Sequence, residues 1–250
     1  VIDMDHLGAA SGDPATALGG AALLRRVAAL GEYFVLGSGT GGEWLSLPAL
    51  LDPATVAEFV GRTRHAIATS AGCAFTEIPL RMAASSFQLG LAARLVSPAI
   101  GAAALGGAVP LLTEVSIRWQ PTPRHFPRIA AAEPAWAAGT PAQCATVISS
   151  TLLSQVLHPL NDAVAAVTAL SAKILWGNVA SAANGAVTVL AMSQPGQLSR
   201  GRAVVRALLD TEYLIGAGHF QRGGTFTRRS CCLFYLAPDS GFCGDCVLAR

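Results

Sequence analysis

The sequence predicts an α+β fold that is mostly helical: a helical body with a short strand region and a small C-terminal tail module. Three observations predict it. Long stretches are Ala-rich and free of charge, and several carry apolar residues at helical spacing. One segment near the middle alternates apolar and polar residues, as a half-buried strand does. From Thr225 the composition changes to arginines, cysteines, glycines and turn residues. Residues 1–224 therefore read as the body and residues 225–250 as the tail module. There is no internal repeat and no low-complexity linker between them.

The elements follow in order. Asp13 can cap a first helix, with Pro14 in its first turn and Leu18, Ala21, Leu24, Val27 and Ala28 recurring before Gly31. Residues 33–36 read as a short strand. A second helix follows Asp52-Pro53, with Val56, Phe59, Val60 and Ile67 on one face. A third covers residues 82–95. Residues 114–119 form the clearest strand, with Val115, Ile117 and Trp119 on one side and Glu114, Ser116 and Arg118 on the other. Three prolines in residues 120–127 mark a loop. Residues 143–190 read as consecutive helices, broken at Pro159 and capped again at Ser171. Residues 199–209 give one more short amphipathic helix, and residues 216–224 a glycine-rich loop.

Composition excludes several function classes. The 250 residues are 52% hydrophobic and 13% charged, with a formal net charge of +2. An average domain is roughly 25% charged. Intrinsic disorder needs the opposite balance, and a dedicated nucleic-acid binder would show a clustered basic excess. Alanine makes up close to a fifth of the chain and Lys173 is its one lysine, which reflects codon bias more than mechanism. The uncharged windows 95–113, 134–161 and 174–199 raise a membrane question, since a spanning helix needs ~20 apolar residues. They are Ala/Gly-rich and interrupted by Pro98, Gly106, Gln143, Asn178 and Asn184, so they read as buried helices, compatible with peripheral membrane contact. No N-terminal signal is visible, although the chain starts at Val1 and a trimmed segment stays open.

The cysteines carry the functional information. Four of the six lie in the last twenty residues, as Cys231-Cys232 and Cys243-Gly244-Asp245-Cys246. The pattern is C-C-x10-C-x2-C. Cys243 and Cys246 make a two-point chelate around a turn. Adjacent side chains such as Cys231 and Cys232 diverge, so they suit two metal ions better than one. A [2Fe–2S] cluster spreads four thiolates over two irons, whereas a tetrahedral zinc prefers two spaced pairs. The vicinal pair tilts the choice toward iron–sulfur and leaves zinc open. Two disulfides would require a secreted protein. Cys73 and Cys144, in apolar surroundings, read as buried structural thiols.

The run Arg228-Arg229-Ser230-Cys231-Cys232-Leu233-Phe234-Tyr235, followed by Cys243-Gly244-Asp245-Cys246, resembles the C-terminal signature of the ferric siderophore reductase family, the FhuF-like proteins. Leu175-Trp176-Gly177-Asn178 is similar to the family's internal Trp-Gly-Asn segment. The resemblance covers about the last 25 residues plus that short segment. It implies an iron–sulfur tail module, with Cys231, Cys232, Cys243 and Cys246 as ligands of a [2Fe–2S] cluster. It also implies reduction of Fe(III) held by a hydroxamate-type ferric siderophore, in the cytoplasm or at the membrane surface. The electron would come from a separate donor such as a ferredoxin or a flavoprotein reductase. No catalytic residue beyond the cluster is expected. A docking surface needs donors and aromatic walls. Arg222, Arg228, Arg229, Trp176 and Asn178 are the candidates for substrate binding or cluster tuning, with the 118–128 loop (Arg118, Trp119, Gln120, Arg124, His125, Arg128) as a further one. The alternatives are a non-enzymatic iron–sulfur electron carrier or redox/iron sensor, and a zinc-stabilised binding module.

Other signals are discounted. Residues 37–42 match G-x-G-x-x-G, but no helix opens at once behind them, so the segment reads as a loop and not a dinucleotide site. His6, His65, His125, His158 and His219 lack metal spacing.

Overall fold

The computed structural model describes residues 19–249. The Asp13 cap and the start of the first helix lie outside them. Within them, α1 spans Gly20–Ala28. A short helical turn at Glu32–Phe34 follows, where the apolar run 33–36 predicts a strand. Phe34 is buried there while Tyr33 and Val35 face outward, a one-in-three pattern and not alternation.

Two short elements, β1 (Leu45–Ser46) and α2 (Leu47–Leu51), lead to α3 (Pro53–Ala71). The start of α3 is fixed as the sequence predicts: the Asp52 carboxylate accepts the N–H groups of Ala54 and Thr55 at 2.9 and 3.2 Å, with Pro53 in the first turn. Gly72, in the left-handed region at φ 64°, ends it. The next helix, α4, runs from Leu80 to Gly106, well past the predicted end at residue 95. Pro98 lies inside it and removes one N–H donor without ending it. Tertiary burial overrides the breaker: Leu91, Leu95, Ile100 and their neighbours are covered on all sides.

The strand region comprises β2 (Ala108–Pro110), β3 (Ile117–Gln120), β4 (Arg128–Ala131) and β5 (Trp136–Ala138). β3 pairs antiparallel with both β1 and β4, setting Trp119 opposite Leu45 and Ile129, and β2 pairs with β5. β3 is shorter than predicted. Residues 113–116 form a turn closed by Ser116 Oγ, which accepts the Thr113 N–H at 2.9 Å. Val115 is therefore exposed while Ile117 and Trp119 are buried. Gly37 bridges to β4 through two backbone hydrogen bonds of 3.0 Å, so the glycine-rich segment 37–42 is a sheet-edge loop.

The helical half continues with α5 (Pro141–Ile148), a π-helical stretch (Ser149–Leu157) and α6 (His158–Thr168). Pro159 does not break this run. It sits in the first turn of α6, where a missing N–H is tolerated, and the wider π turn absorbs the misfit. α7 (Ala172–Ser193) starts after Ser171, whose hydroxyl makes no capping bond, and α8 is Leu198–Leu209. α4 packs most extensively against α7, and these two helices form the centre of the core. Both are long and apolar enough to cross a membrane by length and composition, yet most of each apolar window is buried inside the protein.

Residues 216–224 are not simply a loop: β6 (Gly218–Phe220) pairs with β7 (Phe226–Arg228) in a hairpin. That hairpin spans the 224/225 division, so body and tail module share a structural element.

Candidate metal centre

β7 delivers the chain into the cysteine module, and the last turn folds back beside it. The Arg228 N–H donates to the Asp245 carbonyl at 3.2 Å, and Arg229 N–H to the Ala217 carbonyl at 2.9 Å. The six cysteines are all free of disulfides. Cys232 is buried; Cys231, Cys243 and Cys246 are half-buried. After the vicinal pair, Leu233 adopts the left-handed region at φ 66° and starts a tight turn over Phe234–Leu236. The Cys246 N–H closes the Cys243-Gly244-Asp245-Cys246 turn onto the Cys243 carbonyl at 3.1 Å.

Backbone amides two residues downstream face the sulfurs. The Leu233 N–H points to Cys231 Sγ and the Leu248 N–H to Cys246 Sγ, each at 3.3 Å from two residues downstream. Amide donors of this kind favour an anionic sulfur. Cys232 and Cys243 act on each other directly. That interaction draws the Cys232 thiol down and pushes Cys243 up. Burial pushes the Cys231 thiol up.

The four thiols do not form a compact one-ion site: among the described residues no group of three or more His, Cys, Asp or Glu side chains closes on a single metal ion. Instead they lie as a contacting pair, Cys232 and Cys243, with Cys231 and Cys246 in Coulombic range of each other. Four free thiols, backbone amide donors at the sulfurs and a buried cation behind them fit the donor chemistry of a two-iron cluster.

The cation is Arg228. It is 1% exposed, and Nη2 donates to Asn178 Oδ1 at 2.7 Å and to the Ile174 carbonyl at 3.3 Å. Burial draws its pKa down, while Cys232, Cys243, Cys231 and Asp245 draw it up; a guanidinium stays charged throughout. Asn178 is itself fully buried. Its amide donates to Ser85 O, Ser85 Oγ and Gln88 Oε1 at 2.9–3.0 Å, and Gln88 donates on to Asn161 Oδ1 at 2.8 Å. A chain of amides thus ties the tail to α4 and α6. Gly177 makes the approach possible, since a Cβ there would run into Ser230 Oγ and the Arg228 guanidinium. Ser230 Oγ donates to the Lys173 carbonyl at 2.8 Å.

The predicted candidates therefore divide. Asn178 is fully buried beneath the module, and Arg228, 1% exposed, lines the inner wall of the cavity at Cys232 and Cys243. Their hydrogen bonds tie the start of the module to α7 and α4. Trp176 and Arg229 line a hollow of about 510 Å³ on one side, with Lys173, Tyr213, Ile215 and Ser230; the Trp176 and Tyr213 rings lie 5.0 Å apart. Arg222 is exposed in the β6–β7 turn and lines none of the cavities at the cysteines. The 118–128 loop lies elsewhere. Trp119 is buried with its indole N–H on the Ser46 carbonyl, Arg118 folds onto its own backbone, and Arg124 and His125 line a separate hollow with Glu32 and Arg62. Cys144 is buried in α5, whereas Cys73 is half-buried in the turn after α3.

The cavity that touches the cysteines is one that spacing alone does not reveal. It holds about 420 Å³ and is lined by Cys232, Cys243 and Asp245 together with Tyr33, Ala93 and Val189. Asp245 accepts from Asn184 Nδ2 at 3.1 Å, and burial raises its pKa. Asp245 is the residue a closer reading of the Cys243–Cys246 loop could have flagged; Tyr33 and Val189 are too distant in sequence to carry a signal.

Residues 228–248 match the family described as the FhuF 2Fe-2S C-terminal domain. No curated protein matches the chain. The cysteine module is thus of the FhuF type, and the group its four cysteines hold is a [2Fe–2S] cluster.

Proposed function

We propose that the chain is a ferric-siderophore reductase: siderophore-bound Fe(III) takes one electron and leaves as Fe(II). The observation that carries this reading is an FhuF-type cysteine module whose Cys232 and Cys243 border an open, mainly apolar cavity. When bound, the [2Fe–2S] cluster supplies single electrons. The substrate chemistry needs nothing else. Fe(III) is hard and oxygen chelators hold it tightly; Fe(II) is held far less tightly, so one electron frees the metal with the chelator intact. The protein's own groups position and shield. Arg228 places a positive charge under the sulfurs, the Leu233 and Leu248 amides support Cys231 and Cys246, and Tyr33 and Val189 wall the cavity through which a chelate could approach. A hydroxamate-type chelate fits this reading, with a ferredoxin or flavoprotein reductase as electron donor. The setting is cytoplasmic, with loose membrane contact where siderophores arrive.

The test is an anaerobic purification followed by metal analysis, visible absorption and EPR. A brown protein with two irons per chain is expected. After reduction, ferric hydroxamates should reoxidise it rapidly and yield chelatable Fe(II), whereas unrelated acceptors should not. A colourless, iron-free protein overturns the assignment. Indifference to ferric hydroxamates would leave an electron carrier or redox sensor.

A further inference from the structure

The two arginines buried among the described residues are treated differently. Arg94 is 7% exposed and has a carboxylate partner, Glu32 Oε1 at 2.6 Å, with the Tyr33 and Phe126 rings 4.6 and 3.6 Å from its guanidinium carbon. Arg228 is more deeply buried and, among the described residues, forms no ion pair. Its hydrogen bonds go to neutral acceptors, Asn178, Ile174 and Ser230, and its Nε has no partner. The nearby carboxylate of Asp245 is engaged by Asn184. A buried charge without a counter-charge is destabilising by several kcal/mol in typical cases, yet Asn178, Gln88, Ser85 and Gly177 form a cradle that holds it in place.

We infer that Arg228 is a positioning residue held in place to face the cluster as its built-in counter-charge, so that cluster loading and the stability of the helical body are linked through it. The inference deepens the reading above and rests on the cluster, not on the identity of the iron chelate. Four thiolates, two inorganic sulfides and two irons carry net negative charge in both oxidation states, and one unit more when reduced. The guanidinium favours the loaded state over the empty one, and the reduced state over the oxidised one. Asn178 holds Arg228 at its place, and its hydrogen bonds go to Ser85, Gln88 and Arg228 and to no cysteine.

The test compares wild-type protein, Arg228→Met and Arg228→Lys, each with cluster and after its removal by chelation. Thermal unfolding and the reduction midpoint by anaerobic titration are measured. Wild type should gain more in Tm on loading than Arg228→Met. Comparing the gain, and not the absolute Tm, cancels the cost of the orphaned Asn178 carbonyl, which is present with and without cluster. The midpoint should fall in Arg228→Met and stay closer to wild type in Arg228→Lys, which keeps the charge but not the fork. A folded Arg228→Met that takes up no cluster, rescued by Arg228→Lys, supports the inference in its strongest form. Equal Tm gains with an unchanged midpoint overturn it. So does an empty Arg228→Met that fails to fold, or a loss of uptake that Arg228→Lys does not restore, because either makes Arg228 a strut and not a counter-charge. Wild type without any cluster would instead remove the functional reading itself.

Discussion

The α4–α7 core and the cysteine module are built on opposite principles. α4 buries nearly every residue from Leu91 to Ala104, and the Asn178–Gln88–Ser85 node joins it to α7 by hydrogen bonds. The module buries only Cys232 and Ala237 between residues 229 and 249, while Phe234, Tyr235, Leu236, Phe242 and Leu248 stay exposed. The first region is held by hydrophobic burial. The second has too little apolar surface inside to hold itself, so polar anchors on α7 and a bound metal group must do it. The difference teaches that one chain contains two kinds of stability, coupled through Arg228: losing the metal group should lower the stability of the body without unfolding it.

The largest effect should come from the module's own ligands. Cys243→Ser should abolish the visible absorption of the cluster, because the Cys243–Cys246 chelate and the Cys232 contact both depend on that sulfur. The far-UV circular dichroism should stay helical. Global unfolding of this variant would show that the body depends on the cluster and would collapse the comparison. On the other side, Ile100→Ala removes a side chain with no exposed surface from α4, which costs about 2–5 kcal/mol in cores of this kind. Urea unfolding should show that loss in the body, with the iron content of the purified protein little changed at low temperature.

Gly177→Ala tests the joint between the two regions. Its new methyl meets Ser230 Oγ and Arg228, and an overpacked contact costs about 1–3 kcal/mol. The chain should relieve it by letting the tail lift from α7. Faster cluster loss to a chelator is expected, with limited change in the unfolding midpoint of the body. If chelation kinetics match wild type, the close approach at Gly177 does not hold the module.

How much of this could be read from the sequence follows the same division. The cysteine module is legible because C-C-x10-C-x2-C is local and a short chelate loop needs its residues close together. The α3 start is legible for the same reason: Asp52 and Pro53 act within one turn. Pro98 and Pro159 mislead because their penalties are local, while the burial that outweighs one and the π turn that accommodates the other come from the surrounding structure. Tyr33 and Val35 look like strand residues, but a tight turn needs only Phe34 in the core. Trp176-Gly177-Asn178 can be picked out, but not its use. That Asn178 faces a guanidinium fifty residues away is set by tertiary packing.

The smallest prediction concerns the other arginine and sharpens the contrast by pH. Arg94 has a resident carboxylate, so protons should control its anchor as the cluster controls that of Arg228. The hydrogen bond from Arg94, aided by its charge and opposed by slight burial, holds the Glu32 carboxyl below its ordinary value. A carboxylate with a depressed pKa contributes stability above its unfolded pKa, about 4.3, and loses it as pH falls through the lower folded value. Glu32 is 58% exposed, which limits the contribution to about 0.5–1 kcal/mol. Glu32→Gln should therefore lower the urea midpoint slightly at pH 7, and the difference from wild type should shrink below pH ~5 and vanish once Glu32 is protonated in both states. A difference that persists undiminished at pH ~3 would mean that Glu32 acts through packing on Tyr33 and not through its charge, and Arg94 would then be held by its two aromatic rings alone.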